Sequence, residues 1–244
     1  RLRARKLERR ERRRELGLSG LVDDLGPRAR LDLRAKGAAI DLGQVLDFLA
    51  ASDAAALHGI GGGGRLDFDL AIRGALGPGA MPMVSGTLTM ADGVLRYPGA
   101  PAGVEGLALT ARFAPDTVAI GDARARVAGQ PVRAALFATR FADPWVRFAV
   151  QGDLDLAAVA PMVAPKDTRL GGRAAVNVQG SGRAKDPASL ALSGGAKLAD
   201  VSVQSPMLPN KVEAVRGDIR FSQSRASVTG FSARSGKSSI ALDA

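Results

Sequence analysis

Cysteine is absent from all 244 residues, which excludes disulfides and thiolate metal sites but leaves the compartment open, since many proteins of oxidising compartments also lack it. Aromatic residues are scarce: eight Phe, one Trp and one Tyr make up 4% of the chain. Any apolar surface must then be lined by Ala, Val and Leu, a filling that suits a thin or repetitive architecture better than a bulky closed core. No apolar run approaches the roughly 18 residues of a membrane-spanning helix. The single histidine, His58 in "ALHGIGGGGR", has no evident nucleophile partner and reads as a loop residue. The glycine run after it lacks both the Gly-Lys-Ser/Thr and the preceding strand of a phosphate loop, and reads as a flexible insertion. Side chains at metal-ligand spacing are missing too. No catalytic residue, metal site or cofactor is assigned, and a non-enzymatic protein is expected.

What is present is unevenly placed. The net charge is +10, and residues 1–20, "RLRARKLERRERRRELGLSG", hold nine Lys/Arg against three Glu, which leaves +4 for the remaining 224 residues. Residues 1–28 read as a basic tail or linker, helix-prone through the i,i+4 pair Glu8 and Arg12. Such a tail can bind nucleic acid or anionic lipid, but no base-reading motif or stacking aromatic accompanies it, so nucleic acid is not an expected partner. With 46% hydrophobic and 24% charged residues, the body is ordinary folding material for one or two domains. The first residue is Arg rather than Met, and the chain reads as a fragment of a longer protein.

The body repeats. A shift of 108 positions places Gly64-Arg65 on Gly172-Arg173, Gly74 on Gly182, Ser85-Gly86 on Ser193-Gly194, Ala91-Asp92 on Ala199-Asp200, and Phe113 on Phe221, without a gap. Upstream, a shift of 114 places Asp41, Leu42 and Val45 on Asp155, Leu156 and Val159. The first copy therefore holds six extra residues, assigned to the region of "GIGGGG". One unit is expected over 29–143 and a second, truncated one over 144–244. A period near 110 is too long for a simple solenoid repeat, so each unit must contain several elements.

Within a unit, strand follows strand. In "RLDFDLAIR", Leu66, Phe68, Leu70 and Ile72 alternate with Arg65, Asp67, Asp69 and Arg73, the two-residue period of a strand with one dry and one wet face. Leu107, Leu109, Ala111 and Phe113 alternate with Ala108, Thr110 and Arg112, and the repeat carries the same dry positions to Ile219 and Phe221. Val146, Phe148 and Val150, then Val176 and Val178, continue the pattern. Asp92-Gly93 reads as a tight hairpin, although its counterpart Asp200-Val201 lacks the glycine. Six or seven sequential antiparallel strands per unit are expected.

Two short amphipathic helices recur, one behind Asp41 with Leu42, Val45, Leu46 and Leu49, the other behind Asp155 with Leu156, Val159, Ala160 and Val163. Pro161 is expected to kink or end the second copy early. A helix of about ten residues is about 15 Å long, whereas seven strands span roughly 34 Å. The helix cannot cover the dry face. A second sheet in a β-sandwich, the same sheet curled on itself, or an apolar ligand must do so.

The stretch from Ser85 to Val159, "SGTLTMADGVLRYPGAPAGVEGLALTARF…GDLDLAAV", resembles the AsmA-like family of bacterial envelope proteins, whose larger relatives include TamB and YhdP. The features that match are the segment Gly86 to Asp92, the turn at Pro98 to Pro101, the strand ending in Arg112-Phe113, the turn at Gly129-Gln130-Pro131-Val132, the Asp143-Pro144 step and "GDLDLAAV" from Gly152. The resemblance implies a mainly β periplasmic rod of repeated antiparallel sheet units, curled into a groove with an apolar floor. It further implies an inner-membrane anchor, missing from this chain, and a role in phospholipid movement between the two membranes and in outer-membrane integrity. Phospholipids are then the expected partners, with outer-membrane proteins as further ones, and the dry positions named above become the lipid-facing floor. The competing expectations are a closed sandwich core for those residues and a structural scaffold or assembly factor for outer-membrane biogenesis.

Overall fold

The computed structural model describes residues 2–4, 15–23, 30–50, 59–75, 82–98, 103–165, 167–223 and 225–242. They form one open antiparallel sheet of fourteen strands whose spatial order is the order of the chain. The strands are β1 Leu2–Ala4, β2 Glu15–Asp23, β3 Arg30–Asp41, β4 Gly61–Ala75, β5 Met83–Arg96, β6 Val104–Ala114, β7 Thr117–Val127, β8 Gln130–Thr139, β9 Trp145–Asp155, β10 Arg169–Arg183, β11 Ala191–Gln204, β12 Val212–Gln223, β13 Arg225–Ser235 and β14 Ser238–Leu242. Two helices interrupt them, α1 Leu42–Ala50 between β3 and β4 and α2 Leu156–Val163 between β9 and β10. No second sheet stacks on the first, so the described residues do not form a sandwich. The accessible surface of 16543 Å² fits this: a compact chain of this length exposes only about 10,000 Å².

The repeat is realised element by element. β4, β5, β7 and the start of β6 reappear 108 residues later as β10, β11, β13 and β12 with the same bounds, and β3 and α1 reappear as β9 and α2. Each unit thus has six strands and one helix. The helices start where Asp41 and Asp155 cap them: Asp41 Oδ1 accepts the Gln44 N–H at 3.3 Å, and Asp155 Oδ1 accepts those of Ala157 and Ala158 at 2.9 and 3.4 Å. Pro161 lies inside α2, which runs two residues beyond it.

Three expectations are corrected. Asp92-Gly93 is not a hairpin but lies inside the continuous strand β5, where the register slips between Met90 and Gly93. It is a β-bulge with Asp92 at φ 53°, and Asp200 sits at φ 51° in the repeat, so the left-handed residue is the aspartate and no glycine need follow it. The glycine run is not an insertion either. Gly61–Gly64 begin β4, and Gly61, Gly62 and Gly63 pair with Arg96, Leu95 and Val94 of β5, because the ladder offered by a neighbouring strand outweighs the weak strand propensity of glycine. Five of the six extra residues fall between α1 and β4, where 51–58, including His58, lie outside the described residues, and the sixth lengthens α1.

The third correction concerns the basic N-terminal segment. Residues 15–23 are strand, not helix, and β2 pairs with β3 from Glu15↔Ala38 to Asp23↔Arg30. The physical signal is the alternation of Leu16, Leu18 and Val22, which the arginine-rich composition around it hides. β2 stands to β3 as β8 stands to β9, with Leu16 opposite Gly37 and Val132 opposite Gly152. The Glu8 and Arg12 pair lies outside the described residues.

Bulges recur across the sheet between the register breaks of β3 (Gly37/Ile40), β4 (Gly63/Arg65), β5 (Met90/Gly93), β6 (Glu105/Ala108) and β7 (Ile120/Ala123). The second unit repeats them in β10, β11 and β12. Each bulge bends its strand and increases local twist. A row of them lying across successive strands curls the whole sheet.

Candidate functional site

Registered partners in a sheet project to the same side, so one face can be followed from strand to strand. Leu66, Phe68, Leu70 and Ile72 of β4 stand opposite Met90, Leu88, Gly86 and Val84 of β5. Gly86 and Met90 stand opposite Phe113 and Leu109 of β6, and Leu107 follows across the bulge opposite Gly93. Through Val118 and Ile120 of β7 the face reaches Ala138 and Leu136 of β8, then Val146, Phe148 and Val150 of β9. Val150 meets Val178 and Gly152 meets Val176 on β10, and from there Gly194 and Ala196 of β11 lead to Phe221 and Ile219 of β12. All fourteen dry positions read from the sequence therefore lie on one continuous face.

That face is apolar but uncovered. Leu66 is buried, and the other thirteen positions are half-buried. Arg65, Asp67, Thr110, Arg112, Arg147 and Asn177, on the opposite face, are exposed. The sheet is about 60 Å long and its strands about 35 Å wide, which makes an apolar face of about 2,000 Å². Soluble monomers rarely leave more than about 600 Å² of contiguous apolar surface open. Sequence alternation missed part of the lining, including Leu88, Val118, Ile120 and Leu136, because Gly86 and the β7 bulge break the pattern after two or three residues.

The relief of this floor is set by phenylalanine over glycine. Phe68, Phe113, Phe148 and Phe221 stand opposite Gly37, Gly86, Gly180 and Gly194 respectively. The Phe68 and Phe148 rings fill the space that the missing side chains of Gly37 and Gly180 leave, which stabilises the strands and keeps the floor low there. At Gly37 and Gly180 a Cβ would meet the rings of Phe68 and Phe148 directly.

Each helix closes one long margin of the trough. Leu46 of α1 and Leu95 of β5 both reach the dry side of Gly62, and Leu42, Ala158 and Ala160 are buried there. The helix margin also receives the turns β5–β6, β7–β8 and β11–β12. The opposite margin is made of hairpin turns alone among the described residues.

The wet face is held by charge pairs rather than by packing. Asp69 accepts from both Arg34 Nη2 at 3.0 Å and Lys36 Nζ at 2.8 Å, Arg73 pairs with Asp32, and Arg65 with Asp92. Hydrogen bonds from Arg34 and then Lys36 hold the Asp69 carboxyl down at about 2. Asp67 serves the backbone, accepting the Ala39 N–H at 2.8 Å beside the β3 bulge. Among the described residues no polar side chain is buried and no three potential metal ligands come together. The arrangement can hold an elongated apolar molecule along its floor without fixing it at one point.

In comparisons with known proteins, no family model, no curated protein and no solved structure matches this chain. No described helix is long and apolar enough to cross a membrane.

Proposed function

We propose that this chain is a non-enzymatic cell-envelope protein whose trough carries phospholipid acyl chains between the inner and outer membranes and thereby supports outer-membrane integrity. The observation that carries the reading is the continuous, half-buried apolar face running across both units with no layer over it. The resemblance to AsmA-like proteins points the same way, and on it the full-length protein is periplasmic and anchored in the inner membrane. An acyl chain spans about half of a bilayer core, about 15 Å, or roughly three strand spacings. Each buried methylene contributes about 0.8 kcal/mol, so the trough retains the chain. Because successive strands offer nearly the same floor, sliding by one strand exchanges like contacts for like. No bond is made or broken.

The test uses the two faces of β6. A photo-crosslinking residue at position 109 or 113, installed in cells, captures phospholipid, and one at 110 or 112 does not. Equal labelling at 109 and 110 reports surface adsorption and defeats the reading. A structural scaffold is the competing function. It predicts purified protein free of lipid and no adduct at any of the four positions.

A further inference from the structure

The polar face of the sheet, opposite the trough, differs between the two units. In the first, Asp69 of β4 pairs with Arg34 and Lys36 of β3, and Arg73 with Asp32. In the second, the positions in the same register on β10 and β9 hold Asn177, Ala149 and Gln151, and Ser181 and Arg147. Of the five charged groups, Arg147 alone still stands at a charged position. Gln179 of β10 and Ser193 of β11, opposite each other, continue the uncharged strip. None of these amide and hydroxyl side chains hydrogen-bonds another group among the described residues, and Gln151, Asn177 and Gln179 are exposed. Two aromatic rings stand at one end of the strip. Trp145, the only tryptophan of the chain, is half-buried, with Arg147 over its ring at 5.5 Å and Arg183 opposite it in register. Phe137 of β8 stands opposite Arg147 and is 37% exposed. Phe68, Phe113, Phe148 and Phe221 all belong to the other face, so the trough has no use for these two rings. In the first unit their places are taken by Arg30 and Leu21.

We infer that the polar face of β8, β9 and β10 is a second binding site, which takes a neutral glycan strand. Sugar rings present apolar C–H faces, which pack on exposed aromatic rings, and hydroxyls, which donate and accept at once as Gln and Asn side chains do. Where the first unit satisfies its charged groups internally, the second leaves its amides free for a ligand. From Trp145 to Gln151 the strip is about 20 Å long, and from β8 to β10 it is about 10 Å wide. Such an area of about 200 Å² falls well short of the roughly 800 Å² that each partner buries in a stable protein interface, but it suits a short oligosaccharide. Charge gives a polyanion little advantage. Arg133, Arg147, Arg173 and Arg183 on this face stand with Asp153 and Asp155, and the hairpin turns at its end hold Arg140 and Lys185 with Asp116, Asp143 and Asp186. Beside these strands Arg124 bridges Asp122, and Lys197 stands opposite Asp218. The site lies on the far side of the sheet from the apolar floor, so a glycan held there tethers the chain without blocking the trough, whatever the trough carries.

Trp145 reports on the site without modification of the chain. Purified protein is titrated with tetrasaccharides of β-1,4-linked glucose and of β-1,4-linked N-acetylglucosamine, both extended ribbons, and separately with a short single-stranded oligothymidylate. Trp145 fluorescence and amide NMR shifts are followed. At least one tetrasaccharide changes the fluorescence and moves amide resonances of β8, β9 and β10 while those of β3 and β4 stay in place, and its binding persists at high salt. The variants F137A and N177A/Q179A each weaken it by roughly tenfold or more. The double variant changes two exposed side chains and leaves the sheet intact by circular dichroism, so its loss reads as lost contact. Response to neither tetrasaccharide, or binding that both variants leave unchanged, overturns the glycan site. A salt-sensitive response to oligothymidylate alone makes this face a polyanion site and overturns it as well.

Discussion

Gly86 shows how much of this sheet turns on single positions. It sits at φ 128° in the interior of β5, and a Cβ there would run into the Asp69 carbonyl of β4. Gly194 repeats the arrangement at φ 107° against the Asn177 carbonyl. Both strain and collision act against any side chain, so Gly86→Ala and Gly194→Ala should each cost at least about 2 kcal/mol in urea unfolding. Gly121→Ala, where a Cβ meets nothing within 4 Å, should stay within about 0.5 kcal/mol of the parent. Similar losses at all three would mean that the glycines act through the unfolded chain alone. Asp69 gives a second test at this scale. Its folded pKa of about 2 lies below the ordinary 3.8 because Arg34 and Lys36 donate to it. A depressed carboxylate contributes stability that is fully present above the ordinary value and is lost as pH falls through the folded one. An NMR titration should find the Asp69 midpoint near 2, rising toward 3.8 in Arg34→Gln. No movement in that variant would show that the pair does not form in solution.

Among the elements, β2 carries the largest revision. A segment read as a solvated basic tail supplies the neighbour that β3 requires, and its Leu16, Leu18 and Val22 extend the apolar floor by one strand. Deleting residues 1–23 should strip β3 of its ladder on one side and lower the melting temperature by roughly 5 °C or more. Amide exchange should then accelerate in β3 before any other strand. An unchanged melting temperature would restore the solvated tail. The helices were legible because Asp41 and Asp155 announce the caps and a four-residue spacing of Leu and Val follows. The β5 bulge was not, since Asp-Gly between apolar residues has the same local appearance whether the chain reverses at it or swells and continues.

Over the whole molecule, the contacts of each strand are essentially those with its two neighbours in sequence. Such an assembly behaves as a one-dimensional chain of units, with stability passed between nearest neighbours. Gly86→Ala should therefore raise amide exchange in β4, β5 and β6 while leaving β11 to β13 protected, and Gly194→Ala should do the reverse. Uniform loss of protection in either variant would require a shared core that this single layer lacks. The amino-acid sequence determined by itself the repeat, the strand alternation, the capped helices and the membership of the dry face. All of these are local periods, and a two-residue alternation assigns a side to each residue wherever the strand lies. It could not decide between a sandwich, whose second layer would cover that face, and an open curl that leaves it bare, since the alternation is the same in both. Tertiary structure decided this, because a bulge row bends a sheet only when successive strands place their extra residues side by side.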